Sequence, residues 1–159
     1  MEMQNSGLAI PNLSADDSTE ICFSDWLTVT QERINSFASA TEDRQWIHLD
    51  AQRALTESPF GSTVAHGFLI LSLLSHFISS AIEQLPMRMG VNYGLNRVRF
   101  ITPVPSGTRI RGQFKLLSVE SIAPMGGLQG EQMIWAVLVE REGSEKPACV
   151  AEWITRRYV

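Results

Sequence analysis

Residues 64–85 read VAHGFLILSLLSHFISSAIEQL, the longest apolar stretch in the chain. Polar side chains such as His66, Ser72 and Glu83 interrupt it. A membrane-spanning helix needs about 20 predominantly apolar residues, so this interrupted stretch predicts a buried helix of a globular domain instead. At about 1.5 Å per residue, such a helix is about 30 Å long and crosses a whole small domain. We therefore expect the rest of the fold to pack around it.

The second half of the chain has the two-residue periodicity of β-strands. Over residues 109–116, apolar residues and glycine alternate with polar residues, as in a strand with one buried face. Residues 133–139 are continuously apolar, which predicts a central strand covered on both faces. Further strands are expected at residues 96–102 and 149–158, and a flexible connection at residues 121–130. Together these elements indicate an α+β fold, with an antiparallel sheet wrapped around a long central helix.

The composition limits the class of protein. The chain has 159 residues, of which 44% are hydrophobic and 19% charged, as is typical of one globular domain. We predict a polar arm over residues 1–20 and a single domain over residues 21–159. A net charge of −4 is not typical of a nucleic-acid binder, and two cysteines are too few for a disulfide framework. The polar N-terminus does not resemble a signal peptide, so we expect a cytoplasmic protein without membrane association.

Two shorter helices are expected before the long one. Thr28 or Thr30 can cap a helix that runs to about Ser39, because a threonine hydroxyl accepts hydrogen bonds from the free N–H groups of a first turn. Asp50 can cap a short helix that begins at Ala51.

Asp43 and His48 are candidate acid–base groups. Their spacing does not place both side chains on one face of a helix, but a bent loop can bring them to one water molecule. Taken alone, the spacing favours the simpler interpretation, a helix-capping aspartate and a buried structural histidine. His66 and His76 lie about 280° apart around a helix and so do not share a face. We therefore expect no metal site.

Residues 60–67 lead into the long helix and are mostly small. The free N–H groups and the positive dipole end at the start of that helix can stabilise an oxyanion, such as the enolate of a thioester. The alternative is an ordinary junction between a loop and a helix.

Three stretches, in order along the chain, carry a family resemblance. Residues 37–50 read FASATEDRQWIHLD, residues 59–67 read PFGSTVAHG, and residues 93–107 read YGLNRVRFITPVPSG. They resemble the signatures of the MaoC-like (R)-specific enoyl-CoA hydratase family, in its NodN-like branch. The resemblance covers residues 24–119 clearly and the last two strands loosely. It implies a hot-dog fold, usually paired as a dimer, with residues 64–85 as the central helix.

The resemblance also implies roles for particular residues. Asp43 and His48 correspond to the family's catalytic pair, and the main-chain N–H of Gly67 to its thioester-binding donor. Ser75, Phe60 and Phe68 are expected to line the substrate site. Independently of the resemblance, the more basic second half of the chain offers Arg97 and Arg99, and also Arg109 and Arg111, for contact with the phosphates of CoA. The implied reaction is the reversible syn addition of water to a trans-2-enoyl-CoA. It needs no metal or redox cofactor, because CoA is part of the substrate, and we expect a homodimer.

One position departs from the family pattern. The residue before the catalytic aspartate is usually glycine, and here it is Glu42. If the position requires a positive φ, a glutamate is strained there; if its side chain points inward, it places a second carboxylate beside Asp43 and weakens that residue as a base. This keeps a non-catalytic acyl-thioester-binding subunit open as an alternative to hydration. A further alternative, independent of Glu42, is an acyl-CoA thioesterase, which needs a carboxylate aimed at the carbonyl carbon rather than at C3. Acyl chain length is expected to depend on Phe68, Leu71, Leu74 and Met87.

Overall fold

The computed structural model describes residues 20–82 and 86–159. The predicted N-terminal arm lies outside these residues, apart from Glu20, and stays a prediction. In chain order the elements are β1 (Cys22–Phe23), β2 (Leu27–Thr28), α1 (Gln31–Thr41), α2 (Trp46–Leu49), α3 (Ala51–Glu57), α4 (Gly67–Ser72), α5 (Leu74–Ala81), β3 (Met89–Phe100), β4 (Arg109–Met125), β5 (Leu128–Arg141) and β6 (Cys149–Tyr158).

The strands of the described residues form one six-stranded antiparallel sheet. Its order is β1-β4-β5-β6-β3, and β2 also pairs with β4. The sheet therefore ends on one side at β3, whose only strand partner within the described chain is β6.

The hydrophobic core lies between the sheet and helices α4 and α5. In β4, Ile110 and Phe114 are fully buried, and the polar residues between them are not, which confirms the predicted alternation. Phe77 of α5 is fully buried in the same cluster, together with Trp135 of β5. Burying a side chain of this size stabilises the fold by about 1.5–3 kcal/mol. Helices on one face of an antiparallel sheet confirm the predicted α+β class.

Strand β5 is central, as expected, but it is not covered on both faces. Met133, Trp135 and Val137 are buried, whereas the residues between them, such as Ile134 and Leu138, are only half-buried. The expectation of two covered faces was wrong for this chain, because the helices pack on one face of the sheet only.

The flexible connection predicted over residues 121–130 was also wrong. Strand β4 continues to Met125 and strand β5 begins at Leu128, with these two residues paired across the hairpin. The two residues of the turn, Gly126 and Gly127, have φ angles of 60° and 81°. Glycine adopts such angles at no steric cost, so a tight two-residue hairpin replaces the expected loop. Of the other strands, β6 has the predicted bounds, and β3 begins at Met89 rather than at residue 96.

The central helix is shorter than predicted and is divided in two. The helical stretch begins at Gly67, because the N–H groups of Val64 and Ala65 are bonded to the carbonyls of Ile47 and Val104. It is divided between α4 and α5 at Leu73. Residues 83–85 lie outside the described residues. No helix in the described part of the chain is long and apolar enough to cross a membrane.

Candidate active site

The turn that carries Asp43 begins at the end of helix α1. Thr30, one of the two predicted caps, accepts a hydrogen bond from the N–H of Arg33 at the start of this helix. At its other end Glu42 adopts the left-handed conformation, with φ 61° and ψ 11°, which turns the chain out of the helix. Asp43 follows at once, on an exposed loop before α2.

Glu42 occupies a backbone position that favours glycine, but its side chain points away from Asp43. It is the only described residue other than glycine with a positive φ. Its carboxylate accepts a hydrogen bond from Nε of Arg44 at 3.0 Å, and its side chain is 76% exposed. The hydrogen bond and charge of Arg44 hold the pKa of Glu42 below its ordinary value. Of the two expectations, strain applies and an inward second carboxylate does not.

His48 is held in a defined orientation and tautomer. It lies on the single turn α2, is 7% exposed, and its Nδ1 lies 2.6 Å from the carbonyl oxygen of Val64. Because a carbonyl only accepts, Nδ1 carries the hydrogen, and Nε2 of the neutral ring keeps its lone pair. Burial lowers the pKa of His48, although the bond to Val64 opposes this effect. The ring is therefore a neutral acceptor near neutral pH.

The fold brings the side chains of Asp43, His48 and His66 together. One nitrogen or carboxylate oxygen from each lies within 4.8 Å of the other two. The convergence expected for Asp43 and His48 on a bent loop is therefore present. A carboxylate and a neutral imidazole nitrogen at this separation are both acceptors, so one water molecule can donate a hydrogen bond to each.

His66 is the residue of this cluster that sequence reasoning did not assign to the site. It is 2% exposed, and its ring stacks on that of His48, with centroids 3.8 Å apart and an interplanar angle of 24°. In the sequence, its spacing from His76 bears only on a metal site, which that spacing argues against. Its position directly before Gly67, within the second family stretch, was the signal that could have identified it.

The stacking also decides how suitable the cluster is for a metal. A cation binds an imidazole nitrogen in the plane of the ring, along the lone pair. The rings of His48 and His66 are nearly parallel, so their lone pairs point side by side rather than toward one point. The cluster as folded is therefore not arranged to coordinate one metal ion.

Gly67, the first residue of α4, lies where a larger residue does not fit. A Cβ atom at this position would be 2.7 Å from the ring of Phe100. Within the described residues its N–H donates to no protein acceptor. A free donor thus lies one residue after His66, at the start of the central helix.

The family of the MaoC like domain matches this chain over residues 15–127, more than half of its length. The chain belongs to the MaoC-like domain family.

Relatives of known name extend the match over almost the whole chain. The 3-hydroxyacyl-thioester dehydratase Z of Mycobacterium tuberculosis is 45% identical over 148 residues, covering 93% of this chain and 95% of the relative. Nodulation protein N of Rhizobium leguminosarum is 43% identical over 152 residues, covering 93% of this chain and 90% of the relative. The relatives of this MaoC-like protein thus include one that is named as a 3-hydroxyacyl-thioester dehydratase.

A solved structure shows the same fold. The R-hydratase PhaJ1 from Pseudomonas aeruginosa superposes with a TM-score of 0.64 at 22% identity, covering 90% of this chain and 86% of that one. The MaoC-like chain therefore has the hot-dog fold, as expected.

A cavity of about 510 Å³ lies at the other end of the central helix. Ser75 and Ile78 of α5 form one wall, and Trp135, Trp153 and Thr155 form another on the sheet. Its lining includes none of the residues of the Asp43 cluster, nor Gly67. At 1.5 Å per residue, Gly67 and Ser75 are about 12 Å apart along the helix axis.

The other predicted lining residues lie elsewhere in the MaoC-like chain. Phe60 is exposed in the loop after α3, and Phe68 is 69% exposed with its ring edge-on to Phe100. Of the residues expected to set acyl chain length, Met87 lines the cavity, whereas Leu74 is buried in the core. Phe68 was expected both to line the site and to set chain length, and in this chain it faces solvent.

The basic side chains considered for CoA differ in their surroundings. Arg97 and Arg99 are exposed on β3, and no carboxylate of the described residues lies within ion-pair distance of either. Arg109 and Arg111, further along the chain, already form ion pairs with glutamates of β5 and the turn after it. Of these four arginines, only Arg97 and Arg99 have no carboxylate partner in the described part of the chain that would compete with a phosphate group.

Proposed function

We propose that this MaoC-like protein hydrates trans-2-enoyl thioesters to (R)-3-hydroxyacyl thioesters, reversibly and with syn geometry, with CoA as the thiol carrier. The observation that carries the proposal is the convergence of the Asp43 carboxylate and the ring of His48. Relatives named as a thioester dehydratase and an R-hydratase support the reaction class.

In the proposed mechanism, Asp43 and Nε2 of His48 hold the reacting water between them. Each accepts one hydrogen bond from it, which directs an oxygen lone pair at C3 of the enoyl group. As the oxygen adds to C3, one O–H bond breaks and Asp43 takes the proton. The electron pair of the double bond moves toward C2 and the thioester oxygen.

Gly67 is proposed to stabilise the charge that develops on the thioester oxygen. Its N–H has no protein acceptor among the described residues, and it lies at the start of the central helix, where the dipole favours negative charge. One such donor contributes about 10²–10³-fold to the rate.

The tautomer of His48 determines how C2 receives its proton. A separate proton from His48 would require a charged ring, and burial of the ring opposes that charge. The proton that leaves the water is therefore the one that reaches C2, returned from the Asp43–His48 side. Oxygen and hydrogen then add to the same face, which gives the syn product.

A homodimer is proposed to complete the substrate site. Strand β3 is an edge strand with exposed apolar side chains, including Tyr93, Leu95 and Phe100. Pairing two copies along β3 through a two-fold axis reverses the direction of the partner's central helix. The cavity at the end of that helix is thereby directed toward the Asp43 site of this chain, and we assign it to the acyl group.

The remaining assignments rest on exposure and charge. Arg97 and Arg99 are proposed to contact the phosphates of CoA, because both are exposed and without carboxylate partners in the described chain. Glu42 was the feature that favoured a non-catalytic binding subunit. Because its side chain points to Arg44, no observation on this chain now favours that alternative.

The test follows the ultraviolet absorbance of the enoyl thioester with crotonyl-CoA and a longer enoyl-CoA. We expect rapid loss with the wild-type protein and a rate lower by about 10²–10⁴-fold in Asp43→Asn. His76→Gln, which changes an exposed histidine outside the cluster, is the matched control. A near-native rate in Asp43→Asn contradicts the mechanism, and release of free thiol without hydration indicates a thioesterase.

A further inference from the structure

His66 has contacts to the main chain and to the ring of the two proposed acid–base residues. Its Nε2 lies 3.0 Å from the main-chain carbonyl oxygen of Asp43, and its ring stacks on His48 at 3.8 Å. The ring of Phe37 also packs against the His66 ring, with the two centroids 5.0 Å apart. His66 also immediately precedes Gly67.

The contact to Asp43 determines the tautomer of His66. A carbonyl accepts hydrogen bonds and does not donate, so Nε2 carries the hydrogen. In the neutral ring Nδ1 is then an acceptor, and this atom is buried without a hydrogen-bond partner among the described residues. Nearly all buried polar atoms in proteins are satisfied. A phenylalanine would fill this place without leaving such an atom, so packing alone does not account for a histidine here.

We propose that His66 is a positioning residue: its Nε2–H fixes the backbone at Asp43, and its ring face fixes the plane of His48. The hydrogen bond is needed because Asp43 lies on an exposed loop, directly after a strained residue. The stacking adds to the bond from Nδ1 to Val64, because that bond fixes one atom of the His48 ring and the ring face of His66 fixes its plane. His66 directly precedes Gly67 in the chain. It therefore also fixes the positions of Asp43 and His48 relative to the main-chain N–H of Gly67, the proposed thioester donor. The kinetic part of this inference rests on the proposed function.

Three substitutions separate the hydrogen bond from the packing. His66→Gln places an amide N–H near the position of Nε2, whereas His66→Asn places its amide near Nδ1, too short to reach Asp43. His66→Phe keeps a flat ring against His48 and has no donor. His76→Gln, on the exposed side of α5, is the control for removal of a histidine.

We expect His66→Phe and His66→Asn to lower kcat by about 10–100-fold, with KM changed by less than about 3-fold, because a small displacement of a reacting group has this effect. His66→Gln should recover part of kcat, because it keeps the donor to Asp43 and loses only the ring against His48. A role in folding alone predicts a different order, in which activity follows the melting temperature. Equal kcat in all three variants, or losses that follow melting temperature, overturn the proposal.

A second measurement needs no substrate. Ring ¹⁵N chemical shifts of the wild-type protein should show His66 protonated at Nε2 and His48 at Nδ1. The ¹³C shift of the Asp43 carbonyl should change in His66→Phe and not in His66→Gln. Protonation of His66 at Nδ1 overturns the proposal even if the protein is an active hydratase. The expected shifts in a protein that hydrates no enoyl thioester contradict the proposed function alone.

Discussion

Nδ1 of His48 lies 2.6 Å from the carbonyl oxygen of Val64, and this contact joins the two halves of the candidate site. The backbone of Val64 is doubly engaged, because its N–H also donates to the carbonyl of Ile47, next to His48 in the chain. The segment before the central helix is thus bound to helix α2, which carries His48. This contact sets the tautomer of His48, and the N–H bonds of Val64 and Ala65 set where the helix begins and hence the position of Gly67.

The stability of the protein is expected to fall in mild acid. The folded state holds the pKa of His48 below its ordinary value of 6.5, so the unfolded chain takes up a proton first as the pH falls. The contribution of His48 is complete above pH 6.5 and is lost progressively below it. Urea unfolding at about pH 7 and pH 5 measures this change. His48→Asn, which does not titrate and keeps a donor for Val64, should lose less stability over this range; an equal loss contradicts the assignment.

Gly67→Ala should destabilise the fold by about 1–3 kcal/mol, the usual effect of overpacking. The added Cβ would lie 2.7 Å from the ring of Phe100. Gly94→Ala is the matched control, because a Cβ at that position meets nothing within 4 Å. Denaturant unfolding of both variants provides the comparison. Adding Phe100→Leu should restore part of the loss, and equal stability of the two alanine variants counts against close packing here.

Glu42→Gly should stabilise the protein by up to about 1 kcal/mol. The left-handed conformation at φ 61° costs a residue with a Cβ about that amount, whereas the exposed ion pair with Arg44 contributes little. Glu42→Ala removes the same ion pair and keeps the strain, so it should be less stable than the glycine variant. Thermal melting distinguishes them. Hydration rates should be unchanged, since the side chain points away from Asp43, and a large drop would show that Glu42 acts on the site.

Leu95→Lys should dissociate the proposed dimer and reduce hydration with it. Leu95 is 41% exposed on the edge strand β3, and a charge at an apolar interface disfavours pairing. Leu55→Lys changes a leucine that is 66% exposed on α3 and serves as the control. Light scattering after size-exclusion chromatography reports the mass. A dimer that persists in Leu95→Lys places the interface elsewhere.

Ile78→Trp should shorten the range of acyl groups that the protein accepts. Ile78 lines the cavity of about 510 Å³, and a larger side chain fills part of it. We expect crotonyl-CoA hydration to be retained and the rate with a long enoyl-CoA to fall by at least about 10-fold, as binding of several methylenes is lost. An equal effect on both substrates means that the cavity does not hold the acyl chain.

Much of the local structure follows from neighbouring residues alone. The caps at Thr30 and Asp50, the alternation in β4 and the bounds of β6 each depend on hydrogen bonds or periodicity within a few residues. Asp43 and His48, the proposed acid–base pair, are also close in the chain, on the loop before α2 and in α2 itself.

The tertiary structure decided where these patterns stop and which groups meet. The apolar pattern continues back to Val64, but the helix begins only at Gly67. The N–H groups of Val64 and Ala65 are hydrogen-bonded to the carbonyls of Ile47 and Val104 instead. His66 joined the site through a bond to Asp43, 23 residues earlier in the chain. The sequence determined most of the elements because those depend on local spacing, and its resemblance to the family pointed to Asp43 and His48. The helix start, the stacked histidines and the separate cavity depend on which distant backbone and side-chain groups satisfy one another once the core has formed.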